Sequence, residues 1–258
     1  MYSVTGRIGK VKQPRGGYLN KNMFEVISFD DGRELSEEEN IHSSLVGLAI
    51  DYLTRWGMGA ELTEAFEISL QGAWYHDRFM KNDIAKNNAK KLLMGMKGLD
   101  NQSIINACKM VGYDVCYRAG MTFYKPVEEI NPDQATIDNI RIMVERSLAF
   151  WDAYGPIVKD GFTFEGGYTD IISSGDGDYL TADTLWDFKV SKEEPKSKYT
   201  LQLLVYYIMG CHSKHPEFKN IKKLGIYNPR KNKAYIIDIA TIPQEIIDEV
   251  SKEVIGYK

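Results

Sequence analysis

Two periodicities divide the chain. From residue 36 to 111 apolar positions recur at helical spacing, and from about residue 156 short β-branched and aromatic runs take over. Helices are expected over 37–56, 63–81, 82–96 and 103–111, with Gly57, Gly59, Gly98 and Gly112 as punctuation. Asn131-Pro132-Asp133 precedes a further helix, 134–154. The segment 7–29, with Gly6, Gly9, Pro14, Gly16 and Gly17 in or beside it, reads as short strands and turns. In the C-terminal part, strands are expected over 167–173, 184–190, 222–227 and 234–239, and a helix without a breaker over 199–209. Pro243 suits the first turn of a last helix, 244–254. The simplest architecture is a single α/β domain, 1–258: an N-terminal β arm (1–35), a mainly helical lobe (36–155), and a core (156–258) in which helices flank a mixed β-sheet.

Alternation along these strands sorts the polar residues by face. In 184–190, Asp187 and Lys189 point one way while Trp186, Phe188 and Val190 point the other. In 167–173, Tyr168, Asp170 and Ile172 share a face, and the run Ser173-Ser174-Gly175-Asp176-Gly177-Asp178 that follows reads as a turn. If the two strands pair as a long hairpin, Asp170 meets Asp187. Gln202 and Tyr206, four apart on the following helix, lie on one face and can look down on both acids. Taken singly, Asp187 with Lys189 is a surface ion pair and Gln202 with Tyr206 an amphipathic helix surface. Two carboxylates inside otherwise apolar strands are another matter, because buried like charges are costly unless a cation compensates them. Hard oxygen ligands suit Mg²⁺ or Mn²⁺, which activates water and polarises phosphoryl oxygens. Lys189 would supply a fixed positive charge where negative charge develops on a phosphate under attack.

In order and spacing, Gly167-x-x-Asp170, Asp187-x-Lys189 and Gln202-x-x-x-Tyr206 resemble the RecB-type exonuclease branch of the PD-(D/E)xK nuclease superfamily. The likeness covers about 45 residues closely and the last 100 or so loosely. It implies a restriction-endonuclease-like mixed sheet, Mg²⁺- or Mn²⁺-dependent hydrolysis of DNA phosphodiester bonds, and action on ends or single strands. Catalytic residues would then be Asp170, Asp187, Lys189, Gln202 and Tyr206, with Asp170 and Asp187 as metal ligands. Repair, recombination or phage proteins are the partners it suggests. Members often carry a further histidine ligand on an earlier helix, and His42 is the matching candidate. Ser36-Glu37-Glu38-Glu39 has the form of a capping box, which would place His42 on the inward stripe with Val46, Ala49, Ile50 and Leu53. A core histidine satisfied by one hydrogen bond is the alternative. Glu165 either reaches the metal or is an exposed carboxylate at a strand end. Some relatives hold an iron–sulfur cluster on one cysteine before the core and three after it; here only Cys211 follows the core, so no cluster is expected. A non-catalytic nuclease-fold protein that binds nucleic acid or a partner is the competing function, against which the presence of both acids and the lysine counts.

Composition narrows the setting. With 258 residues, 43% hydrophobic, the chain can bury a sizeable core. No apolar run approaches the roughly 18 residues of a membrane helix, and residues 1–10 lack a leader's apolar segment, so a cytoplasmic protein without membrane association is expected. Cys108, Cys116 and Cys211 are too scattered for a disulfide framework. Cys211-His212 with His215 lacks a second pair at zinc-ligand spacing, and His76 reads as structural. The net charge of −4 hides an uneven distribution. Residues 1–24 and 219–233 hold bases but no acid, and Lys189, Lys192, Lys196 and Lys198 flank the proposed metal site. The last group is the expected contact for a phosphate backbone, although each run also reads as a solvated turn. Trp56, Trp74 and Tyr75 are either core or a surface on which bases stack.

Overall fold

The computed structural model describes residues 1–258. Strand β1 (Tyr2–Ser3) runs into helix α1 (Val4–Ile8), and β2 (Glu25–Ser28) follows. Next come α2 (Ser43–Gly57), α3 (Leu62–Ala65), α4 (Glu67–Met80), α5 (Ile84–Met94), α6 (Asn101–Val111), α7 (Asp114–Arg118) and α8 (Gln134–Tyr154). The remainder is β3 (Lys159–Phe162), β4 (Ile172–Ser174), β5 (Gly177–Leu180), β6 (Thr184–Phe188), α9 (Ser197–His212), β7 (Lys223–Asn228), β8 (Lys233–Asp238) and α10 (Gln244–Glu249), which ends in a π-helical turn, Val250–Ile255. The chain divides into two compact units, Met1–Asp30 with Phe150–Lys258, and Asp31–Ala149. The first thirty residues therefore belong with the C-terminal part, and the expected β arm contains helix α1.

The first unit is built on an open mixed sheet of six strands in the order β2-β8-β7-β6-β5-β3. Only β6 and β7 run parallel, and α9 makes the crossover between them. Helix α9 is apolar nearly all round, with Leu201, Leu203, Leu204, Val205, Ile208 and Met209 buried, because α1 and the turn Val250–Ile255 cover the side it does not press on the sheet. Leu180, Leu185, Leu224 and Ile226 meet it from the strands. Alternation sends Tyr179, Trp186, Phe188 and Tyr227 to the opposite face, where the last turn of α8 covers them: Phe150 stacks on Tyr227 at 3.8 Å and meets Trp186 edge-on at 5.0 Å. Each such ring buries roughly 150–250 Å², or about 4–6 kcal/mol of transfer free energy. A side chain at Gly225 would come within 2.3 Å of the Trp186 ring, so glycine is needed under that indole.

The second unit is helical and pinned by the buried acids Asp77 and Asp114 and by the buried Arg146. Asp77 accepts the Ala85 and Lys86 amides, both at 2.9 Å, and so anchors the start of α5. Asp114 accepts the hydroxyls of Tyr52 (2.6 Å) and Ser69 (2.5 Å). Arg146 forks onto Asp31 with two contacts of 2.8 Å. The helix expected from residue 37 starts at Ser43 instead. The Ser36 amide bonds the Asn139 side chain (2.8 Å), and the Asn40 amide bonds the Thr136 hydroxyl (3.0 Å), so the segment before α2 is tied to α8 rather than coiled. No helix is long and apolar enough to cross a membrane.

Candidate functional site

Strands β5 and β6 form a tight hairpin closed by Thr181–Thr184, with the Thr181 amide on the Thr184 carbonyl at 3.0 Å. Its register pairs Leu180 with Leu185 and Tyr179 with Trp186. One step further along the same ladder stand Asp178 and Asp187. Both belong to the face that α9 covers, since they share strand parity with Leu180 and Leu185. Asp187 is 1% exposed; Asp178 is partly buried, and its Oδ2 accepts the Phe188 amide at 2.8 Å. Lys189 Nζ donates to Asp187 Oδ1 at 2.8 Å, while Asp187 Oδ2 is buried with no donor at all. From α9, the Gln202 amide donates to the Tyr206 hydroxyl at 2.7 Å, and both side chains are buried. Phe164 stacks on the Tyr206 ring at 5.0 Å and fixes it.

The electrostatics follow from two acids and one ammonium under a helix. Burial pushes the Asp187 carboxyl above the usual aspartate range, against the pull of the Lys189 ammonium. Burial alone would lower Lys189, but the charges of Asp187 and Asp178 outweigh it and hold the amine protonated. Burial, then the charges of Asp187 and Asp178, raise the Tyr206 phenol well above its ordinary value, so it keeps its proton and can donate it.

Four of the residues singled out from sequence, Asp187, Lys189, Gln202 and Tyr206, thus share one site. Asp170 does not join them: it is exposed in a bend before β4, outside the hairpin, and the strand expected over 167–173 is formed only at Ile172–Ser174. The long hairpin that would have brought Asp170 to Asp187 is replaced by the short one, and Asp178 holds the place. Gly175-x-x-Asp178 repeats the spacing of Gly167-x-x-Asp170, and that repetition was the available signal. The glycines and aspartates there read as a turn, yet Gly177 is a strand residue opposite Phe162, where a side chain would come within 2.3 Å of that ring.

His42 is not on the buried stripe of α2. It is exposed at the N-cap, where its Nδ1 meets the Ser44 hydroxyl at 2.7 Å and accepts the Ser44 amide at 3.3 Å. Glu165 is exposed and engaged by Thr163, and His215 lies 3.8 Å from it. His212 stacks on Tyr257 at 4.0 Å, and His215 meets the Thr163 carbonyl at 2.8 Å. His76 packs edge-on against Tyr124 at 4.8 Å. Of the lysines flanking the site, Lys196 is paired with Glu193, and from the separate basic run 219–233 Lys231 and Lys233 reach Glu194 at 3.4 and 3.6 Å, so the charges there are mixed rather than uniformly basic.

Two carboxylates from adjacent strands, one with an unpartnered buried oxygen, fit a hard divalent cation, which would supply the donor-free oxygen with its partner and offset the like charges. No cluster of three or more His, Cys, Asp or Glu side chains surrounds them, so a cation here would take the rest of its shell from water or ligand oxygens. No family model, curated protein or solved structure matches this chain.

Proposed function

We propose that the protein is a Mg²⁺- or Mn²⁺-dependent deoxyribonuclease of the RecB-type PD-(D/E)xK kind, with a restriction-endonuclease-like core, acting as an exonuclease on DNA ends or single strands. The observation that carries this reading is the opposed pair Asp178 and Asp187, with an orphan carboxylate oxygen and the Lys189 amine 2.8 Å from its partner oxygen. Asp178 and Asp187 would hold the cation, Asp178 taking the part expected of Asp170. The cation would supply Lewis-acid polarisation of the scissile phosphate and a more acidic water.

The chain's own groups do the rest. Lys189, kept protonated by the two acids, offers a fixed positive charge to the phosphate oxygens as negative charge accumulates there. Tyr206 remains a phenol and donates its proton in a hydrogen bond, while Gln202 holds its oxygen in place. The helix above the hairpin keeps these dipoles rigid, so little reorganisation is needed during reaction. A cytoplasmic role beside repair, recombination or phage proteins agrees with the resemblance.

Labelled single- and double-stranded DNA, incubated with the purified protein in Mn²⁺ or EDTA, tests the reading. Cleavage is expected only with the cation and is lost in Asp178→Ala and Asp187→Ala, while Asp170→Ala cleaves like wild type. Loss in Asp170→Ala with full activity in Asp178→Ala returns the ligand role to Asp170. Equal cutting by wild type and Asp187→Ala, or none by wild type, leaves a non-catalytic binding protein.

A further inference from the structure

Five of the twelve large hydrophobic side chains that the chain exposes fall between residues 74 and 84, at the end of α4 and the start of α5. Trp74 is 50% exposed, Tyr75 45% and Phe79 64%. All three, with Arg78, project over one side of α4, because positions 74, 75, 78 and 79 fall within little more than a third of a helical turn's circumference. They leave the core because the opposite side of the helix is already closed, with Ser69, Ala73 and Asp77 buried, and its flank beside Phe79 is tight as well: a side chain at Gly72 would come within 2.1 Å of the Tyr113 carbonyl.

The patch is aromatic and cationic together. The Arg78 guanidinium sits 5.3 Å from the Trp74 ring centre. Beside it opens a hollow of about 250 Å³ rimmed by Trp74, Arg78, Lys81 and Lys86. Lys81 closes α4 with φ 55, a left-handed conformation that glycine adopts more readily than lysine, and so places an amine at the rim. Two acids adjoin the hollow. Asp77 is 2% exposed and committed to the Ala85 and Lys86 amides, and Asp83 is paired with Lys86 at 2.5 Å. Residues 74–91 contain five bases and two acids, an excess of three positive charges in a chain whose net charge is −4. A purely apolar partner surface would gain nothing from that excess.

We infer that this patch binds single-stranded nucleic acid, with bases stacked on Trp74, Tyr75 and Phe79 and phosphates held by Arg78 and Lys81. Each base presents a π-face to any exposed ring, and the strand supplies negative charge to match the excess of bases. The site belongs to the helical unit and does not rest on the cation site of the other unit.

Fluorescence anisotropy of labelled dT20 with the full-length protein in EDTA tests this apart from any cleavage. Trp74→Ala and Phe79→Ala should each weaken binding about 5- to 150-fold, the range for one stacked base. Trp74→Phe should retain most of it, and an abasic strand of equal length, which loses every stacked base, should bind wild type more weakly than dT20 binds Trp74→Ala. Arg78→Gln and Lys81→Gln should each lower the slope of log affinity against log salt by about 0.7. Circular dichroism checks that each variant is folded. The inference is overturned if wild type does not bind dT20, if the abasic strand binds equally well, or if both aromatic variants bind like wild type. Self-association of wild type that Trp74→Ala abolishes, without dT20 binding, assigns the patch to a protein interface instead.

Discussion

Replacing Lys189 with Met keeps the aliphatic stem and removes the only ammonium hydrogen-bonded to Asp187. With 2.8 Å between Nζ and Oδ1, the gross attraction is about 6 kcal/mol at an effective dielectric constant of about 20. Desolvation of the amine offsets part of it, and taking one partner from a buried pair costs a net 3–5 kcal/mol. The Lys189 side chain is 24% exposed, which puts the expected loss at the low end, about 3 kcal/mol. Urea unfolding in EDTA measures it, followed by tryptophan emission in a background where Trp56 and Trp74 are Phe, so that Trp151 and Trp186 report on the unit that holds the site. Added Mn²⁺ supplies a second test. At ten times its dissociation constant a cation stabilises the folded state by about 1.4 kcal/mol. Its gain should be larger in Lys189→Met than in wild type, because the cation meets two acids with no competing amine. A Lys189→Met variant within 0.5 kcal/mol of wild type in EDTA would mean that the acids do not depend on the amine. Equal Mn²⁺ gains in both proteins would mean that the cation does not bind between them.

Other consequences are as direct. Asp31 is held below the usual aspartate range chiefly by its hydrogen bonds to Arg146, so its contribution is complete above the unfolded value near 4 and fades as pH falls below it. Asp31→Asn should therefore destabilise the helical unit by about 2–3 kcal/mol at pH 7, because Arg146 loses its carboxylate partner, and the gap to wild type in urea melts should shrink at pH 3. Gly177→Ala drives a methyl group against Phe162 and should cost about 1–3 kcal/mol, less in a Phe162→Leu background; equal costs in both backgrounds would remove Phe162 as the cause. His42→Ala should lose about 0.5–1 kcal/mol of helix capping in thermal melts and cleave DNA like wild type. Loss of cleavage with stability intact would restore His42 as a ligand.

What could be read from the sequence was whatever its local period determines. Helix α8 begins and ends where the pattern puts it, at Gln134 and Tyr154, because a single amphipathic stripe runs its whole length. Strands β6 to β8 lie within a residue or two of their expected ends for the same reason, and Gln202 and Tyr206 share a helical face as four-residue spacing requires. The failures occur where a distant partner decides. Ser36 to Asn40 carry a helix-start pattern, yet Asn139 and Thr136 take their amides. Gly175 to Asp178 carry turn composition, yet the Phe162 ring needs glycine at 177 and the ladder of β3 and β6 fixes the rest. Asp170 and Asp178 satisfy the same Gly-x-x-Asp spacing, and only the length of the connection separates them. A turn from Thr181 to Thr184 fixes the register so that Asp178 stands opposite Asp187. Side chains alternate with period two, so slipping β5 by one residue against β6 would carry the Asp178 carboxylate to the aromatic face and leave Asp187 alone with Lys189. The pairing of the two acids is therefore a property of the turn, and the sequence feature that sets the site is the spacing of Asp178 and Asp187 about Thr181–Thr184 rather than either acid's motif.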